Sequence, residues 1–283
     1  MPRTALALVV LAAILHAAWN ALTKRARDPL AFLWSSMGVA AVGLLPAALV
    51  VLARESFPAE ARPYAAATVA LHAVYFLVLA TSYRHADFSV VYPIARGLGV
   101  ALTPVLAFAL FAEHVSLLGA AGIALVVLGI AFGAARASVD APARSREGVA
   151  WAVATGLCIA AYSIVDSAGA RRVHPLVFLD TLSLGAVLLC TPVVLRRRQA
   201  LVEEWRHNWR TILLASTMNL SGYLLVLFAY RISKTGYVVA CRELSIALAP
   251  VIGRLLLGET KVAARLVGAA VILGGVICVA LAR

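Results

Sequence analysis

"YRHADFSVVYPIARGLGVALTPVLAFALFAEH" occupies residues 83–114, and "YRISKTGYVVACRELSIALAPVIGRLLLGET" occupies residues 230–260. With one gap in the loop, Tyr83-Arg84 aligns with Tyr230-Arg231. Beyond the gap Arg96 falls on Arg242, Leu98 on Leu244, Ala101-Leu102 on Ala247-Leu248, Pro104 on Pro250 and Glu113 on Glu259. The register continues through Gly122 on Gly268 and Gly129 on Gly275. Similarity held at one long spacing signals an internal repeat. The chain therefore divides into residues 1–137 and 148–283, joined by a polar linker at 138–147.

Composition says what the repeat is made of. The 283 residues are 63% hydrophobic and only 13% charged, against about 25% charged in an ordinary soluble domain. The apolar residues are blocked into ten runs: 4–23, 30–53, 64–82, 88–111, 117–135, 148–168, 175–195, 211–230, 235–257 and 264–282. Runs of about 20 residues cross the hydrocarbon core as helices. No alternating pattern of a membrane barrel is present. The reading is an all-α integral membrane protein with ten transmembrane helices.

The net charge of +12 comes largely from bases clustered between the runs, such as Lys24/Arg25/Arg27 and Arg196–Arg198. Such clusters are topology signals of a membrane protein, and nucleic acid is not an expected partner. The four cysteines lie inside apolar runs, without metal-ligand spacing, and read as small buried hydrophobes. No phosphate-binding loop, nucleophile elbow or zinc motif is present, so neither an enzyme nor a cofactor or metal is expected.

Five spans per half is an odd number, so the second half must enter the membrane from the opposite side. The expectation is two inverted five-helix repeats, with substrate held near the midplane between them. The architecture, with Pro104…Glu113 and Pro250…Glu259 closing the fourth span of each half, resembles the drug/metabolite transporter superfamily, EamA type. The resemblance implies a secondary transporter of small metabolites in a bacterial-type inner membrane, with both termini cytoplasmic. The loop bases alone favour both termini outside, so the orientation stays open. The first span reads "HAAWNALTK" (residues 16–24) where many members carry Trp-Gly, which leaves the substrate class open.

Polar side chains inside the spans are the candidate site. His16, Asn20 and Thr23 share one face of the first span, and Thr155, Cys158, Tyr162 and Asp166 share one face of its repeat partner. Trp19 aligns with Tyr162, His72 with Asn219, and Phe76 with Tyr223. Tyr92, Arg96, Gly99 and Thr103 form a stripe in the fourth span, answered by Arg242 and Ser245 in the ninth. The fifth and tenth spans carry almost no polar residue, which places them outside a cavity lined by the first, third, fourth, sixth, eighth and ninth. For the hydroxyls the plain alternative is hydrogen bonding between packed helices.

Arginine is hard to hide in a membrane and suits bidentate capture of carboxylate or phosphate. Arg96 and Arg242 are therefore the expected grip on an anionic group, with His16, Trp19, Asn20, His72, Tyr92, Tyr162, Asn219 and Tyr223 around it. The competing expectation is that Asp166, Asp180 and Glu243 neutralise them. Those carboxyls are also the candidates for carrying a coupling proton, because burial disfavours an ionised carboxylate unless a cation opposes it. Adjacent residues on a continuous helix point about 100° apart, so Arg242 and Glu243 are not expected to neutralise each other.

The remaining features read as structural. Glu113 and Glu259 suit the N-terminus of the helix that follows each. Pro104 and Pro250 are expected to kink their spans, and Lys24 to reach the interface. Gly129–Gly133 and Gly274-Gly275 permit close helix packing, and "RRRQALVEEWRHNWR" (196–210) reads as an interfacial loop. The function expected is transport of a small polar metabolite, such as an amino acid or organic acid. The alternatives are a lipid-headgroup flippase or an exporter of cationic compounds.

Overall fold

The computed structural model describes residues 1–23, 26–85, 88–137, 146–248 and 263–282. Within them the side chains of 21, 83–84, 88–90, 92–93, 133–137 and 263–266 are not described. Lys24, the linker residues 138–145, Pro250 and Glu259 lie outside the described residues, as does the side chain of Tyr92.

Helices form at the apolar runs: α1 (Arg3–Thr23), α2 (Pro29–Arg54), α3 (Arg62–His85), α4 (Phe88–Phe111), α5 (Leu117–Ala137), α6 (Arg146–Ala170), α7 (Pro175–Leu195), α8 (Arg198–Ile232), α9 (Thr235–Arg242) and α10 (Ala263–Leu281). Residues 244–248 are also helical, and no strand occurs among the described residues. Seven of these helices are long and apolar enough to cross a membrane; α5 and α10 contain shorter apolar helices, Leu117–Phe132 and Val267–Leu281. Large apolar side chains point outward, among them Leu49, Val105, Leu128, Leu188 and Leu273. A surface of this kind belongs against lipid, and the chain is a multi-pass membrane protein.

Local chemistry sets several helix starts. Asp28 caps α2, its Oδ1 accepting from the Ala31 amide at 2.9 Å, and Pro29 stands where its missing N–H costs nothing. The charged stretch before the eighth apolar run is not a loop but the first turns of the 35-residue α8. Glu204, fully buried, accepts from the Arg27 and Asp28 amides at 2.9 Å each, and the Trp205 indole N–H donates to Ser35 Oγ at 2.9 Å. These long-range bonds recruit that segment into the helix, so only part of it, such as the half-exposed Trp209, remains to meet the interface.

α1 lies along α8, and α6 lies along α3; α2 packs on α7; α2 also meets α8, as α7 meets α3. α5 and α10 pack chiefly on each other. A Cβ on Gly122 would sit 2.7 Å from the Gly275 carbonyl oxygen, and one on Gly129 would sit 2.9 Å from that of Gly268. Only hydrogen fits at these crossings, so the glycines serve packing within one chain. A Cβ on Gly274 would meet nothing within 4 Å, so that glycine takes no part. The amino group of Met1 donates to the carbonyls of Ala280 and Ala282, which joins the start of α1 to the end of α10.

The ninth apolar run is broken where a continuous helix was expected. α9 stops at Arg242, and Glu243 forms a turn. The Glu243 amide bonds to the Ala240 carbonyl at 3.2 Å, and the Ile246 amide bonds to the Glu243 carbonyl at 2.8 Å. Both span three residues, the tighter 3₁₀ pattern, which changes the angle between successive side chains.

Candidate functional site

The break aims the two adjacent charges at different helices. Glu243 reaches α4, where its Oε2 accepts from Arg96 Nε at 2.9 Å and its Oε1 lies 2.5 Å from Arg96 Nη2. One charge-assisted hydrogen bond and one close ion contact join the two groups. Both side chains are buried, at 5% and 1% exposure. Arg96, expected to face a ligand, is thus taken up by a carboxylate from its repeat partner's span.

Arg242 is placed differently. It is 3% exposed, its Nη2 donates to the Tyr162 hydroxyl at 3.3 Å, and its Nε has no hydrogen-bond partner among the described residues. No carboxylate lies within ion-pair distance of it among the described residues. The two arginines that the repeat equates therefore have unequal surroundings. One is neutralised and one is open.

Tyr162 links Arg242 to a second group. Its ring lies 4.5 Å from that of His72, centroid to centroid. Asp166, fully buried one turn further along α6, accepts from Thr68 Oγ1 at 2.5 Å and from the Tyr223 hydroxyl. His72 Nε2 stands 3.7 Å from Asp166 Oδ2, and His72 Nδ1 is 3.0 Å from the Thr68 carbonyl oxygen. Side chains from α3, α6 and α8 so converge on one carboxylate, beside the arginine at the end of α9.

The end of the molecule nearer the start of α9 is tied by another set of bonds. Glu113 accepts from the Thr235 amide at 2.7 Å and pairs with Arg171 at 2.7 Å. Arg171 also donates to the Tyr230 and Ser233 carbonyls. Glu113 thus sits on the N-terminus of α9 rather than that of the helix following it, joining α4, α6 and the α8–α9 connection. A cavity of about 100 Å³ lies elsewhere, between Glu55, Arg172, His174 and Arg231. None of the intramembrane candidates lines it.

The family model for EamA-like transporters matches twice, at residues 3–133 and 146–281. The chain belongs to the EamA-like transporter family. The two matches cover the two halves delimited by the internal repeat. A solved crystal structure of a protein superposes with a TM-score of 0.76 over 99% of this chain and 97% of its own, at 16% identity. That likeness is one of fold alone. No curated protein matches the chain by sequence.

In this EamA-like transporter the other expected residues are scattered around the charged centre. On α1 the polar stripe mostly bonds to itself: Trp19 Nε1 donates to His16 Nδ1 at 3.1 Å, and Asn20 Nδ2 to the His16 carbonyl at 2.7 Å. Trp19 packs against Phe32, Ile212 and Ala215. Asn219 and Tyr223 are half-buried on α8. Asp180 is buried on α7 with Oδ1 unpartnered, and no contact joins it to Asp166 or Arg242 among the described residues. Thr68 is a site residue that the sequence reading missed, although its place four residues before His72 puts both on one face of α3.

Proposed function

We propose that this chain is a secondary active transporter that carries a small polar metabolite with an anionic group, by alternating access between two inverted repeats. The observation that carries the substrate class is Arg242, a buried guanidinium with an unpaired donor and, among the described residues, no carboxylate in ion-pair reach. A buried guanidinium without a direct ion-pair partner and with an unused donor is costly. A carboxylate or phosphate of the substrate would take up that donor at contact distance. Arg96 holds the α4 side of the site through Glu243, and Tyr162 orients Arg242. Trp19, Asn20, His16, His72, Asn219 and Tyr223 are assigned to the walls.

Several observations support ten crossings in two inverted halves. The two family matches divide the chain where the repeat does. The pairings α1 with α8 and α6 with α3 exchange when the halves are exchanged. So do the crossings of Gly122 on Gly275 and of Gly129 on Gly268, since Gly122 aligns with Gly268 and Gly129 with Gly275. The broken α9 matches the discontinuous helices that form midplane sites in transporters of this kind. The proposed location is a bacterial inner membrane.

A second reading rests on Asp166. Its carboxyl is buried among His72, Tyr162 and Tyr223, without an arginine or lysine partner among the described residues, surroundings that also suit a cationic compound. A ligand-stability screen separates the two. Purified protein is heated in detergent with L-glutamate, succinate or inorganic phosphate, and in parallel with tetraphenylphosphonium. A bound solute at about 100 times its Kd raises stability by roughly 2.7 kcal/mol. The expected result is protection by one of the anions, lost in Arg242→Gln. Protection by the organic cation alone, lost in Asp166→Asn, assigns the site to cations instead.

A further inference from the structure

The hydrogens around Asp166 can be counted. The Thr68 hydroxyl has one hydrogen, and at 2.5 Å it is directed to Asp166 Oδ1. The Tyr223 hydroxyl gives its hydrogen to Oδ2. His72 Nδ1 lies 3.0 Å from the Thr68 carbonyl, which only accepts, and 3.1 Å from the Thr68 hydroxyl oxygen, whose hydrogen is already placed. Nδ1 must therefore carry the imidazole hydrogen. In the neutral ring Nε2 is then bare, and it faces Asp166 Oδ2 at 3.7 Å. Two buried acceptors confront each other there, and one hydrogen between them would satisfy both.

Charge gives this confrontation a consequence. The buried centre holds Arg96, Glu243, Arg242 and Asp166, whose formal charges cancel when Asp166 is ionised and His72 is neutral. An anion on Arg242 leaves the centre with one excess negative charge; a proton on the pair leaves it with one excess positive charge. Both together restore neutrality. The groups facing Asp166 are Thr68 and His72 from α3, Tyr223 and Tyr230 from α8, Arg242 from α9 and Tyr162 on α6 itself. His72 is the one partner among them suited to exchange a proton near neutral pH.

We infer that His72 and Asp166 form a single-proton site, and that its proton travels in the same direction as the anion held by Arg242. The pair takes up one proton, shared between Nε2 and Oδ2, and titrates as a unit. Proton and anion strengthen each other's binding, and the coupling is reciprocal. Anion affinity therefore rises as pH falls through the range in which the pair fills. The linkage rests on the reading of Arg242 as the anion site, whereas the proton site does not.

The two parts are tested separately. Infrared pH-difference spectra of the purified full-length protein, in wild type, Asp166→Asn, Asp166→Glu and His72→Gln, report the proton site without any substrate. The expected result is, beyond the steps common to all four proteins, one protonation step in the wild type that is absent from Asp166→Asn and from His72→Gln and retained at a shifted pH in Asp166→Glu. A wild-type spectrum without the step, or a step surviving unchanged in either deletion variant, overturns the pair. Uptake of labelled L-glutamate, succinate and inorganic phosphate into proteoliposomes then reads the linkage. An inside-alkaline gradient should accelerate entry of the transported anion in the wild type and have no effect in Asp166→Asn. Entry of an anion unaffected by the gradient in the wild type refutes the symport. Entry of none of the three refutes the linkage through Arg242, while the spectra still decide the proton site.

Discussion

Replacing Arg96 with Met is expected to destabilise the protein by about 3–5 kcal/mol, the usual result of leaving one buried partner of an ion pair without its counter-charge. Glu243, 1% exposed, would keep its carboxylate and lose the hydrogen bond from Arg96 Nε together with the close ion contact to Nη2. Glu243→Leu should cost a similar amount by removing the carboxylate that pairs with the buried Arg96. The double variant Arg96→Met/Glu243→Leu should recover most of the loss, because apolar groups of similar volume often replace a buried pair at little cost. Thermal unfolding in one detergent, with all four proteins side by side, reads this cycle directly. Arg242→Gln is the informative contrast: it removes the repeat-equivalent arginine but deprives no carboxylate of a partner among the described residues, so it should unfold near the wild-type temperature. Equal destabilisation by Arg96→Met and Arg242→Gln would mean that Arg242 also has a structural counter-charge.

The second large effect is steric. Gly122→Leu should force α5 away from α10, since even a Cβ there would lie 2.7 Å from the Gly275 carbonyl and 2.9 Å from the Val279 amide nitrogen, both rigid backbone. Overpacking of a tight contact costs about 1–3 kcal/mol. Helix association in lipid depends on such close packing more than on apolar burial. Gly275→Leu meets the mirror-image obstruction, 2.6 Å from the Gly122 carbonyl. The two substitutions damage one contact, so the double variant should lose less than the sum of the singles. Gly274→Ala, one residue away and facing open space, should be neutral or slightly stabilising, because alanine favours a helix over glycine by roughly 0.5–1 kcal/mol. Unfolding temperatures in detergent check the set. A loss at Gly274 equal to that at Gly275 would remove the packing explanation.

How much of this was readable from residues alone depended on how local the signal was. Apolar runs of membrane-spanning length carry their own helical assignment, and the repeat could be aligned without coordinates. The intramembrane Arg96, Arg242, Asp166 and His72 stood out because polar groups are rare in such runs. Their pairing did not. The expectation that Arg242 and Glu243 diverge by one fixed angle assumed a continuous helix, and no Gly or Pro between Ala240 and Ile246 announces the turn at Glu243. Which arginine Glu243 joins follows from that turn and from the packing of α4 against α9. The helical extension of α8 was hidden for the same reason: Glu204 acts on amides at Arg27 and Asp28, far away in sequence. Glu113 likewise looked like a cap for the adjacent helix, whereas its acceptor geometry is spent on Thr235. Thr68 is the one omission that the spacing to His72 could have prevented.

Whether an anion occupies Arg242 is the central question, and counterflow tests it most directly. Proteoliposomes loaded with unlabelled L-glutamate, succinate or inorganic phosphate would be challenged with a trace of the labelled form outside, using wild type, Arg242→Lys and Arg242→Gln. Wild type is expected to accumulate label for at least one anion. Arg242→Lys should retain a weaker exchange, because a point charge replaces the fork, and Arg242→Gln should lose it while remaining folded. Exchange of an anion at the wild-type rate by Arg242→Gln would contradict the assignment, and the guanidinium would then be a structural group in a site whose ligand is held elsewhere.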